Sequence, residues 1–175
     1  MARKSKKTPT KKTTVKKAVA DKKGTKTRSG RKFALFAVGK EKFCIDLDDI
    51  TEILDTCEIF PVAHLPESFA GITKLHGTSI PVVDMRRLLS EENVDAPARA
   101  CLLTTVRSSP LGLLVDSDVT IAASRKGKLL PLPDCYTKEE AEFLEGIFWL
   151  EDSLFGILKP KQMVEELAQW RVKNA

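Results

Sequence analysis

From residue 33 onward, apolar and polar positions along the chain follow the short periods of β-structure. Phe33–Val38 is an almost unbroken apolar run. Gly39-Lys40 supplies a hairpin turn, and Lys42–Leu47 reads as the partner strand. Ile50–Leu54 continues as a third strand or a short helical turn. Gly71–Leu75 and Ile80–Val83 predict a second hairpin around His76-Gly77-Thr78, where Gly77 permits a positive φ and Ile80, Val82 and Val83 suit a buried pleated surface. Asp84 follows as an N-cap, its carboxylate placed to accept from the open amides of a short helix. Strands resume at 100–106, 111–115 and 119–123, followed by a Lys/Gly turn at 126–128. Residues 137–143 suggest a short helix with Thr137 as cap and Glu140 at the capping-box position. A last helix starts at Pro160 and carries Met163, Val164, Leu167 and Trp170 on one face. Many short strands with small helices between them predict small barrels rather than a parallel sheet.

The pattern repeats. Gly71, Ile72 and Leu75 find counterparts in Gly146, Ile147 and Leu150, and Ile80, Val82 and Val83 in Phe155, Ile157 and Leu158, at an offset of 146 − 71 = 75. Ile45-Asp46-Leu47-Asp48-Asp49-Ile50-Thr51 is echoed by Leu114-Val115-Asp116-Ser117-Asp118-Val119-Thr120 at an offset of 69. Two echoes in the same order imply a duplicated unit, not a solenoid of many short repeats.

Charge divides the chain sharply. Residues 1–32 hold 14 Lys and Arg against one acid, Asp21, a net of +13; the rest has 29 − 14 = 15 basic and 24 − 1 = 23 acidic residues, a net of −8. The first 32 residues contain too little apolar surface to offset ordering entropy, so they are expected to form a disordered basic tail, with the folded domain spanning 33–175. A flexible tail of that length reaches about 30 Å and suits a polyanion, either nucleic acid or anionic lipid.

Candidate chemistry is sparse. The sequence has no phosphate-binding glycine loop, nucleophile elbow or metal-type histidine pair. Cys44, Cys57, His64 and His76 fall at spacings that match no usual zinc pairing, and Cys44 and Cys101 lie in apolar runs where free cysteine acts as a small hydrophobe. Asp46, Asp48, Asp49, Asp116 and Asp118 follow no calcium-loop pattern. A binding module is expected rather than an enzyme, with no catalytic residue, cofactor or metal. Neither a secretory leader nor a membrane-length apolar run is present, which points to a cytoplasmic protein.

Phe33–Val38, the hairpin to Ile45-Asp46, the segment Ile50-Thr51-Glu52-Ile53 and, above all, Gly71-Ile-x-x-Leu-x-Gly-Thr-x-Ile-Pro-Val-Val-Asp-Met-Arg resemble the CheW family of chemotaxis adaptors. The resemblance covers about residues 33–170. It implies a mainly β fold of two intertwined, five-stranded barrels of SH3-like or OB-like type with a C-terminal helix. It also implies a non-catalytic scaffold that couples the cytoplasmic tip of a methyl-accepting chemoreceptor to the regulatory domain of a CheA-type histidine kinase, recruited to receptor arrays. Ile50 and Glu52 match the family's receptor-facing segment. His76 stands where the family usually has a receptor-facing arginine, so it is either a retained contact or an exposed turn residue. Gly71 and Gly77 match family glycines that shape the backbone, with partner contact secondary. A different function, that of a nucleic-acid or nucleoid-tethered protein using its lysine-rich tail, remains open beside this one. So does a detached kinase-type regulatory domain.

Overall fold

The computed structural model describes residues 30–89, 100–106 and 108–163. The expected basic tail and most of the terminal helix, beyond helical backbone at 160–163, lie outside the described residues.

The elements run β1 (Lys32–Val38), β2 (Glu41–Asp46), β3 (Ile50–Leu54), β4 (Phe69–Leu75), β5 (Thr78–Asp84), α1 (Met85–Leu89), β6 (Ala100–Val106), β7 (Ser109–Val115), β8 (Thr120–Ala123), β9 (Lys128–Leu130), α2 (Lys138–Phe143), β10 (Leu144–Leu150) and β11 (Ser153–Leu158). The fold is mainly β, as the resemblance implies. Its sheets have the orders β8-β1-β2-β11-β10-β9 and β3-β6-β7-β5-β4. The first therefore has six strands where five were expected. The extra one, β9, occupies the stretch that looked like a Lys/Gly turn: Ser124–Lys126 makes one 3-10 turn, and Lys128–Leu130 then pairs with Trp149–Ile147. A three-residue strand is too short to show a period of two.

Strand exchange interlocks the two halves of the chain. The hairpin β1–β2 joins β8, β10 and β11 from the second half, through a parallel pairing of β2 with β11. The hairpin β6–β7 joins β3, β4 and β5 from the first half, through a parallel pairing of β5 with β7.

Exchange explains why several strands are apolar on both faces. In β1, Phe33 and Leu35 enter the interior of the first barrel with Cys44, Phe148 and Ile157, while Ala34, Phe36 and Val38 face a large core shared between the barrels. In β6, Cys101 and Leu103 enter the second barrel with Leu54, Ile80 and Val82, whereas Ala100 and Leu102 face the shared core. Buried on both sides, such strands lose the alternation of a half-solvated sheet.

The internal echo has a structural counterpart. A register shift falls between Phe69 and Gly71 in β4 and between Leu144 and Gly146 in β10, and 144 − 69 again equals 75. The hairpin tips agree as well: His76 has φ 48° and Glu151 has φ 53°, with 151 − 76 = 75. The shorter echo has a different offset because the stretch between the two echoes is longer in the second half, 146 − 120 = 26 against 71 − 51 = 20, and there it holds β9 and α2.

Candidate interaction site at the second barrel

The five-stranded sheet closes through a connector, not through a further strand. After β3 the chain runs across the barrel mouth to Phe60, whose amide donates to Ile72 O at 2.8 Å and whose carbonyl accepts from Ile72 N at 2.9 Å. That bridge sets β3 beside the β4–β5 tip, although the two elements lie on opposite edges of the sheet. Gly71 makes the closure possible. Its φ is +146°, and a Cβ there would lie 2.3 Å from Phe60 O. Gly77, at φ +80°, has open space around it, so its role is confined to turning the hairpin.

The closure brings Glu52 and His76 together. Glu52 Oε2 lies 3.9 Å from His76 Nε2, with the Glu52 side chain 15% exposed and the imidazole 77% exposed. Glu52 Oε1 is buried with no hydrogen-bond partner among the described residues. A shielded, unpaired carboxylate oxygen costs free energy until a donor reaches it. Ile50 belongs to the shared core and is buried, so it positions β3 from beneath rather than facing outward. Phe60 is 39% exposed, and Lys74 Nζ sits 5.9 Å from its ring centroid. This aromatic–cation neighbour is hidden in the sequence, where Phe60 falls outside every predicted strand.

Inside the barrel mouth, Cys57 packs against the cluster containing Cys101. A hydrogen bond from Cys101 draws the Cys57 thiol below the usual thiol range; burial opposes this and Thr73 assists it. The Cys101 thiol is held well above that range, by the same pairing with Cys57 and by its own burial. Burial likewise raises the Cys44 thiol.

Among the aspartates that follow no calcium pattern, Asp46, Asp49 and Asp116 are ion-pair partners. Arg86 of α1, buried, meets Asp116 of the β7–β8 loop, and Asp116 Oδ2 also accepts from Gly39 N at 2.7 Å. A second pair also crosses between the halves: Lys161 Nζ lies 2.8 Å from Asp49 Oδ1, and 161 − 86 is once more 75. Arg31 bonds to Asp46 at 2.6 Å and, in a fork, to both oxygens of Glu145 at 2.5 and 2.9 Å. Charge alone places Arg31 with the basic N-terminal residues, because it does not show which arginine is docked. No group of three or more metal-ligating side chains occurs among the described residues, and none of their helices is long and apolar enough to cross a membrane.

The architecture of two exchanged barrels, with a connector closing the second one, matches a known family across nearly all the folded region. The family profile of the CheW-like domain matches residues 32–168. The chain belongs to the CheW family. Its relatives include the chemotaxis protein CheW of Rhizobium meliloti (strain 1021), 27% identical over 134 residues that cover 76% of this chain and 86% of the relative. The chemotaxis protein CheW of Klebsiella aerogenes is 22% identical over 142 residues, covering 79% and 86%. Among solved structures, the scaffolding protein TtCheW from Thermoanaerobacter tengcongensis superposes with a TM-score of 0.65 at 24% identity, covering 78% of this chain and 93% of that one. That likeness shows the shared CheW fold.

Proposed function

We propose that this CheW-family chain is an adaptor in a chemotaxis or chemotaxis-like pathway, joining a chemoreceptor tip to the regulatory domain of a CheA-type kinase in the cytoplasm at a receptor array. The observation that carries the receptor side is Glu52 at the closure of the second barrel. Its buried, unpaired oxygen requires a donor; the exposed His76 lies beside it, and the exposed Phe60 adds apolar area at the same closure. Ile50 and Gly71 hold that surface in place. Gly77 sets the tip that carries His76.

A receptor helix offering an amide or cationic donor satisfies this geometry. Glu52→Gln then weakens receptor-tip binding by about tenfold, the scale of one hydrogen bond to a charged group. His76→Arg strengthens it by about threefold at pH 8, since arginine supplies a permanent charge and a forked donor. Calorimetric titration of the full chain against a receptor tip checks both, and unchanged affinity in both variants removes this surface from the receptor contact. Titration against the kinase regulatory domain checks the second partner. The adaptor reading predicts micromolar or tighter binding that survives added salt.

A further inference from the structure

We infer that Cys57 and Cys101 form a peroxide-oxidisable dithiol that closes to an intramolecular disulfide. The pair arises from the barrel itself. Leu54 lies directly opposite Cys101 in the β3–β6 ladder, so the two side chains point to one face, the interior of the second barrel. The connector leaves β3 at Leu54 and curls over that interior, setting Cys57 three residues later against the same cluster. Cys101 is fully buried, with its Sγ packed over Gly112, where a Cβ would approach it to 2.9 Å. Cys57 is only partly buried and lies at the mouth. One thiol is therefore open to a small oxidant, with its partner in the buried cluster it packs against. Thr73, also buried, hydrogen-bonds Cys57 from β4 and helps it ionise first.

The chemistry balances with hydrogen peroxide as oxidant. The Cys57 thiolate attacks one peroxide oxygen, the O–O bond breaks, and hydroxide departs to become water, leaving Cys57 as a sulfenic acid. The Cys101 sulfur then attacks the Cys57 sulfur, the S–O bond breaks, and the Cys101 proton leaves with the hydroxyl as a second water. Two thiols are oxidised by two electrons, and both peroxide oxygens are reduced. The product fastens the connector to β6. Cys44, buried in the other barrel, and the exposed Cys135 stay outside the reaction. The inference rests on barrel packing and is independent of the receptor reading.

The test uses the full-length chain carrying Cys135→Ser, folded and treated with hydrogen peroxide. The expected result is loss of two hydrogens per molecule, reversed by dithiothreitol, with a non-reducing peptide map joining Cys57 to Cys101. Before oxidation, Cys57 alkylates at least about tenfold faster than Cys44 or Cys101, as exposure and thiolate character dictate. With Cys101→Ser added, Cys57 stalls as a sulfenic acid captured by dimedone; with Cys57→Ser instead, Cys101 stays reduced. Retention of both thiols, a link through Cys44, or only intermolecular dimers overturns the proposal.

Discussion

At single residues, the fold depends on a few positions where backbone or charge leaves no alternative. Gly71 is the clearest. An alanine there meets Phe60 O at a distance no Cβ tolerates and adopts an unfavourable positive φ. Gly71→Ala is expected to destabilise by about 2–4 kcal/mol, whereas Gly77→Ala, in open space, costs about 1 kcal/mol. Urea midpoints of the two variants check the difference. Equal losses would mean that the bridge to Phe60 yields easily. Asp116 is the second such position, because it pairs with the buried Arg86 guanidinium, which then keeps Asp84, 3.8 Å from its Nε, as a more distant carboxylate. Asp116→Ala should cost about 1.5–3 kcal/mol, the scale of one lost charge-assisted hydrogen bond. Asp49→Ala should cost under about 1 kcal/mol, because Lys161 is 63% exposed. Lys161 is held charged by Asp49, so that small contribution is present below the ordinary lysine range and fades as pH rises through the raised value.

At the level of elements, legibility followed the strength of the local signal. The hairpin turn at Gly39-Lys40 and the strand at 100–106 stand as their patterns suggest, and Arg86 N donates to Asp84 Oδ1 at 3.0 Å, as the N-cap reading required. Ile50–Leu54 is a strand, the first of its two alternatives, and the helical turn falls before it, as a 3-10 turn at Leu47–Asp49. The site was half legible. Glu52 and His76 were singled out, but nothing local in the sequence shows that they meet, because the contact depends on the Phe60–Ile72 bridge. Phe60, Arg31 and the Cys57–Cys101 pair were missed for the same reason. Each acquires its meaning from a partner on a distant strand, and pattern reading sees only neighbours in the chain. The equivalent tip of the first barrel illustrates divergence after repetition. There, Trp149 is 41% exposed with Lys128 Nζ 5.3 Å from its ring, and Glu151 occupies the position of His76.

Across the whole molecule, the sharp division of charge predicts two separable binding behaviours. If the basic N-terminal residues bind a polyanion, that affinity falls steeply between 50 and 200 mM salt, on the order of 10³-fold, and disappears when residues 1–29 are removed. Binding to the kinase domain should be unaffected by either change. Filter binding to DNA and titration of the kinase domain, each at two salt concentrations, separate the two behaviours; loss of kinase binding with the tail would join them.

The exchange of hairpins between halves also sets a timetable for biosynthesis. β2 cannot find its parallel neighbour until β11 exists, and 158 − 46 = 112 residues separate the ends of those strands. At about 5–20 residues per second, the first hairpin waits roughly 6–22 s on the ribosome before its neighbour emerges. For that interval Phe33, Phe36 and Phe43 have no finished barrel to enter. Nascent chains stalled before residue 150 should therefore be captured by chaperones and cut rapidly by protease, and chains released after residue 163 should resist both.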